Sequence, residues 1–140
     1  MVYVDTSALV PMFIREPRTN AVIDWIESSG ERLAISECTL VEFASAAAIK
    51  LRMGQVTAKI VKQATARMGE FAEKHFIIAM PAQETFRRAA ELAGNEALKL
   101  RAGDALHLAT AESLNTPVIL CLDQAMAESA KSLGMTVATP

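Results

Sequence analysis

Apolar and polar positions along the chain switch repeatedly between a strand-like run and a helical period. Val2-Tyr3-Val4 is a short β-branched and aromatic run that stops at Asp5. An uninterrupted apolar run of this kind predicts a strand buried on both faces. Ala8 to Ile14 follows as a helix, and Arg15-Glu16-Pro17 interrupts it. Proline disfavours helix at the residue before it and suits the first turn of a new one. Ala21, Val22, Trp25 and Ile26 then recur at helical spacing until Ser28-Ser29-Gly30. Arg32 to Ser36 is a second short strand. Thr39 to Arg52 is a long helix with Leu40, Phe43, Ala44 and Ala47 on one face, and Val56 to Lys74 is a second, so the two form a hairpin turning at Met53-Gly54-Gln55.

The second half repeats the alternation. Phe76 to Met80 predicts a strand stopped by Pro81, and Gln83 to Glu96 a helix whose apolar side includes Phe86, Ala90, Leu92 and Ala93. Arg101-Ala102-Gly103 is a turn, followed by a helix from Asp104 to Leu114. Val118 to Leu122 is a buried strand ended by Asp123, a helix runs to Leu133, Gly134 caps it, and Met135 to Ala138 is a last strand. Strands separated by helices imply a mostly parallel sheet covered on both faces. The expected architecture is a three-layer α/β/α domain spanning residues 1–140, without repeats or linkers.

Composition narrows the function. Hydrophobic residues make up 51% of the 140 and charged residues 21%, a globular balance with room for an ordinary core. A net charge of -2 provides no global attraction to nucleic acid, so a polyanion must be held by a local basic patch or through a metal. Cys38 and Cys121 are too few for a disulfide framework and suit a reducing cytosol. No apolar run approaches the ~20 residues of a membrane span, and the amino terminus carries no basic leader, so the expected location is the cytoplasm.

Four acidic residues fall at comparable places: Asp5 after the first strand, Glu42 in the first turn of the third helix, Asp104 after Gly103, and Asp123 after the fourth strand. Each has a structural reading. Asp5, Asp104 and Asp123 suit N-caps, and Thr39-Leu40-Val41-Glu42 has the form of a capping box with Glu42 reaching back. Caps alone would be as readily Ser, Thr or Asn. Carboxylates at successive strand-to-helix junctions of a parallel sheet meet at one edge, where their mutual repulsion calls for a cation or a proton. All-oxygen ligands suit Mg²⁺ or Mn²⁺, and helix N-termini nearby favour a phosphate. The chemistry such a cluster serves is metal-assisted phosphodiester hydrolysis.

Thr6 and Ser7 add hydroxyls beside Asp5, either as helix-start groups or to orient a carboxylate. His107 lies one turn beyond Asp104 on an apolar helix and reads as packing or as support for the site rather than as a zinc ligand. Arg101, three residues before Asp104, is either a phosphate contact or an exposed arginine. Leu9, Val10, Met12, Phe13 and Ile14 put apolar residues on more than one side of the first helix; burial is the simple reading, and any left exposed would belong to a dimer or partner groove.

Val2-Tyr3-Val4-Asp5-Thr6-Ser7-Ala8-Leu9, Glu42 before an alanine-rich helix, Gly103-Asp104-Ala105-Leu106-His107-Leu108-Ala109, and the closing Leu122-Asp123 to Met135 segment together resemble the PIN-domain nucleases, over the whole chain and in the right order. The compact length resembles the VapC toxins of prokaryotic toxin–antitoxin pairs. The resemblance implies a Mg²⁺- or Mn²⁺-dependent endoribonuclease with Asp5, Glu42, Asp104 and Asp123 as its acidic quartet and Ser7 as a supporting hydroxyl. Asp5, Asp104 and Asp123 would hold the metal. It implies RNA as substrate, a homodimer, and a VapB-type antitoxin partner. One departure is Cys121, which stands where many relatives have Thr or Ser; a thiol is a weak hydrogen-bonding substitute.

Other classes fit less well. Haloacid-type phosphatases want a second aspartate where Ser7 stands, receiver domains want an acidic pair and a late lysine, and no glycine-rich nucleotide loop is present. The non-enzymatic alternative is a degenerate PIN domain acting as a binding or scaffold module, which the retention of all four acids disfavours.

Overall fold

The computed structural model describes residues 1–140. Strand β1 (Val2–Val4) lies at the centre of a five-stranded sheet of order β3-β2-β1-β4-β5, with β2 (Leu33–Ser36), β3 (Phe76–Ala79), β4 (Val118–Leu120) and β5 (Thr136–Ala138). Every neighbouring pair is parallel, so the sheet is wholly parallel. All three residues of β1 are buried, as a strand covered on both faces requires.

Side-chain alternation divides the core into two layers. Val2, Val4, Leu33, Ile35 and Leu120 point to one side, where α1 (Thr6–Phe13), α3 (Glu37–Arg52) and α4 (Ala58–His75) bring Leu9, Phe43, Ala47, Ala64 and Met68. Tyr3, Ala34 and Ile119 point to the other, against Leu92 of α5 (Gln83–Gly94), Leu108 of α6 (Ala102–Ser113) and Met126 of α7 (Gln124–Ser132). Helix α2 (Thr19–Ser29) adds Trp25 and Ile26 at the edge of the first layer. The expected three-layer α/β/α arrangement is present, and no helix is long and apolar enough to cross a membrane.

The strand order reverses at β1. The chain steps from β1 through β2 to β3 on one side, then crosses by α5 and α6 to β4 on the other. Such a switch opens a crevice at the carboxyl ends of β1 and β4, because the flanking crossovers leave in opposite directions. Asp5 N–H donates to the Leu120 carbonyl at 3.0 Å, holding the two strand ends together there.

Several local expectations change. Helix α3 starts at Glu37 rather than Thr39, because Ser36 is its N-cap and Thr39, not Glu42, closes the capping box. Thr39 N–H donates to Ser36 Oγ at 3.3 Å, and Ser36 N–H donates back to Thr39 Oγ1 at 3.1 Å. Glu42 is thereby released from any capping role. Asp104 is likewise not an N-cap: Arg101 occupies that position and Asp104 stands three residues in, accepting from Arg101 N–H at 3.3 Å. Phe86 is half exposed instead of facing the core, because α5 buries Thr85, Ala89 and Leu92. On α1, Leu9, Val10 and Ile14 are buried and Met12 and Phe13 pack half-buried against the same core, so the burial reading holds.

Candidate active site

Asp5 follows β1 as the N-cap of α1, and its Oδ2 is fully engaged by the fold. It accepts Ser7 N–H at 2.9 Å and Ser7 O–H at 2.5 Å, with the Cys121 thiol at 3.7 Å. Ser7 Oγ in turn accepts the backbone N–H of Leu122 at 2.9 Å, joining the start of α1 to the end of β4. The other oxygen, Oδ1, faces His107 Nε2 at 3.5 Å.

Glu42 reaches the same point from the second turn of α3. Its Oε2 accepts Thr6 O–H at 2.6 Å and lies 2.5 Å from His107 Nε2. Oε1 lies against the start of α6, where a side chain on residue 103 would collide with it. Gly103 is therefore required for a close approach, and no left-handed backbone is involved. Asp104 uses Oδ2 for the Arg101 N–H, and Asp123, N-cap of α7, uses Oδ1 for Met126 N–H at 2.8 Å.

Each of the four carboxylates thus has one oxygen tied to the fold, while no protein donor other than His107 approaches the second. Cap and ligand roles are compatible because a carboxylate has two oxygens. No lysine or arginine lies within ion-pair distance of any of the four. Burial raises the Asp104 carboxyl above its ordinary value, and the charges of Asp5 and Asp123 add to it. Glu42 is held below the usual carboxylate range: burial pushes it up, but the hydrogen bond and charge of His107 and the Thr6 hydroxyl outweigh this. For His107 burial works downward and is outweighed by the Glu42 bond and the charges of Asp5, Glu42 and Asp104, so its value is raised.

The closest potential metal donors are Asp5, Glu42 and His107, whose ligand atoms lie within 4.8 Å of one another. Asp104 and Asp123 stand outside that close triple but are near enough for their charges to act on one another. The donor set fits a hard divalent ion: four acids whose second oxygens meet no lysine or arginine, with His107 the one neighbouring group able to carry positive charge. Cys121 is a poor competitor as a ligand, because burial and the Asp5 charge push its thiol up to about 12.

His107 proves more central than its apolar helix suggested, since only the fold brings it to Glu42. Arg101 is exposed and serves α6 through its backbone. The basic residues at the site are others. Arg18 and Lys50 line a groove of ≈ 470 Å³ with Thr6, Ser7 and Asp123. Arg18 also borders a second hollow of ≈ 360 Å³ with Asp123 and Lys131. These three come from α3, α7 and the segment before α2, and nothing in their local sequence links them to the acids.

The PIN domain family model matches residues 2–132. Ribonuclease VapC46 of Mycobacterium tuberculosis is 28% identical over 142 residues, covering 99% of this chain and 97% of that protein. Among solved structures, M. tuberculosis VapC20, described as a sarcin-ricin loop cleaving toxin, superposes with a TM-score of 0.77 at 14% identity, covering all of both chains. VapBC2 from Rickettsia felis, bound to a DNA fragment from its promoter, gives 0.70 at 16% identity over 99% of this chain and 98% of that one. With its parallel sheet, its acids at the switch point and a family match over nearly its full length, the chain belongs to the PIN-domain family.

Proposed function

We propose that residues 1–140 form one nuclease domain that hydrolyses RNA phosphodiester bonds with Mg²⁺ or Mn²⁺ and serves as the toxin of a VapBC-type pair. The observation that carries this is the uncommitted oxygen on each of Asp5, Glu42, Asp104 and Asp123, gathered at the switch point without a lysine or arginine partner. The likeness to Ribonuclease VapC46 supports RNA as the substrate.

Asp5, Asp104 and Asp123 would hold the ion, with Glu42 beside them. When bound, such an ion polarises a phosphoryl oxygen and lowers the pKa of water. Ser7 fixes Asp5 by holding Oδ2, which leaves Oδ1 turned to the site. Glu42 stays ionised through the His107 and Thr6 contacts and can accept a proton from an attacking water at Oε1. Arg18 and Lys50 at the groove rim are placed for substrate phosphates, although Lys50 is paired with Glu16 and Arg18 donates to the Pro140 carbonyl, so both must exchange partners. A cytoplasmic homodimer silenced by a VapB-type antitoxin completes the reading; the Rickettsia VapBC2 complex supports the partner class.

Cleavage of a total-RNA pool by purified protein in Mg²⁺, in Mn²⁺, in EDTA and as Asp5→Asn tests it. Metal-dependent cleavage lost in the variant is expected, and the fragment ends then identify the target. Absence of cleavage and of Mn²⁺ binding by folded protein would leave the scaffold reading.

A further inference from the structure

Helix α3 carries Glu42, Ala46 and Lys50 at successive four-residue steps, so one face of the helix leads from the acids to a lysine ~12 Å along its axis. Ala46 and Lys50 line the groove of ≈ 470 Å³ beside Asp123, with Thr6, Ser7 and Val10 of α1. Glu16 stands in the same groove, its Oε1 paired with Lys50 Nζ, the two side chains 27% and 22% exposed. The backbone that carries Glu16 is fixed independently of that pair. Glu16 N–H donates to Thr19 Oγ1 at 2.9 Å, and buried Thr19 donates on to the Pro11 carbonyl at 2.7 Å. The carboxylate is therefore held at the groove whatever its side chain binds.

A carboxylate in a groove for a polyanion is a cost unless it finds a donor. Lys50 has to turn toward a phosphate to help hold a strand, and Glu16 then loses its partner beside added negative charge. Phosphate oxygens cannot replace the lysine, because they only accept. Glu16 and Lys50 are in contact, so a ligand that engages both must offer an anion and a donor side by side. In RNA the 2′-hydroxyl adjoins the phosphate of the same nucleotide, whereas the base edges lie across the ribose from it. DNA has the phosphate and lacks the hydroxyl.

We infer that Glu16 and Lys50 read one ribonucleotide away from the cut: Lys50 takes its phosphate, and Glu16, released from the lysine, accepts its 2′-hydroxyl. Glu16 is then a specificity-determining residue that separates RNA from DNA, at a phosphate beyond the one the acids serve. The inference rests on the RNA-cleaving reading proposed above.

Oligouridylate and oligodeoxyuridylate carry the same base and differ only in the 2′-hydroxyl. Their binding to the Asp5→Asn protein in Mg²⁺ is read by fluorescence anisotropy of the labelled strands. The RNA strand should bind more tightly, and Glu16→Ala should reduce that preference about 10-fold, the worth of one hydrogen bond to a charged acceptor. Glu16→Gln keeps an acceptor oxygen without the charge and should retain part of the preference. Lys50→Ala should weaken both strands by a similar factor and flatten the slope of log affinity against log salt by about 0.7. An equal gain for both strands in Glu16→Ala, or an unchanged preference, overturns the inference, since Glu16 would then only neutralise Lys50. A protein that cuts the total-RNA pool yet prefers neither strand overturns it as well. Absence of both cleavage of the pool and binding of either strand overturns the RNA-cleaving reading itself.

Discussion

The Ser7 hydroxyl donates to Asp5 Oδ2 at 2.5 Å while accepting the Leu122 backbone N–H at 2.9 Å. One side-chain oxygen therefore orients the acid after β1 and fixes the exit of β4, the two strand ends that frame the crevice. Ser7→Ala removes both bonds and leaves the Leu122 N–H without its acceptor. A loss of about 1–3 kcal/mol is expected in denaturation. Cleavage should fall about 10- to 100-fold, as for other residues that orient a metal-binding acid. Cys121→Ser is the contrasting variant. Asp5 is already held by two Ser7 bonds and the thiol touches it only at 3.7 Å, so activity close to wild type is expected.

Asp104 separates function from stability. Its carboxyl is raised by burial and by the charges of Asp5 and Asp123, so the folded state binds that proton more tightly than the unfolded chain does. Stability is therefore lost as pH rises from the ordinary carboxylate value through the raised one, and at neutral pH the ionised group is a cost. In EDTA, Asp104→Asn should melt higher than wild type, since an amide oxygen can still accept the Arg101 N–H. In Mn²⁺ the order should reverse, because binding at 100 times Kd stabilises the wild-type protein by about 2.7 kcal/mol. A variant that melts lower in both media would contradict this.

The Glu42–His107 pair makes a pH prediction with two limbs. Glu42 is depressed, so its contribution is present above the ordinary glutamate value of about 4.3 and is lost as pH falls through the folded value. His107 is raised, so its contribution is present below the ordinary imidazole value of about 6.5 and is lost as pH rises through the folded one. Melting temperatures in EDTA, wild type against His107→Gln, should differ most in weak acid and converge toward either side. A difference that grows steadily into alkali would rule out the charged pair.

Gly103→Ala tests the close approach of α3 and α6. Alanine favours a helix over glycine by about 1 kcal/mol, but its Cβ would collide with Glu42 Oε1. The collision is with the end of a flexible side chain, so α6 can keep its place while the carboxylate is pushed off its Thr6 and His107 partners. The helix gain and the lost contacts oppose each other, so thermal stability should change little while cleavage falls. A fall in stability with activity retained per folded molecule would show that Gly103 matters to the helix and not to Glu42.

What the sequence determined by itself was whatever depends on neighbours along the chain. The apolar runs at Val2–Val4 and Val118–Leu120 define strands because burial on both faces leaves no other use for such residues. Asp5 and Asp123 cap the helices that follow, because an N-cap needs only a side chain two or three residues from a free N–H. The start of α3 turns on a local ambiguity too: Ser36 and Glu42 both suit a box with Thr39, and Ser36 makes it because, as the last residue of β2, it has the extended backbone an N-cap needs. The tertiary structure alone decided the rest. His107 meets Glu42 across 65 positions and Tyr3 across 104, and the Arg18, Lys50 and Lys131 cations border the hollows beside Asp123 from three separate elements. Such pairings depend on strand order and crossover, which bring distant segments to one sheet edge, and no local pattern of apolar and polar residues records which distant side chain will stand opposite.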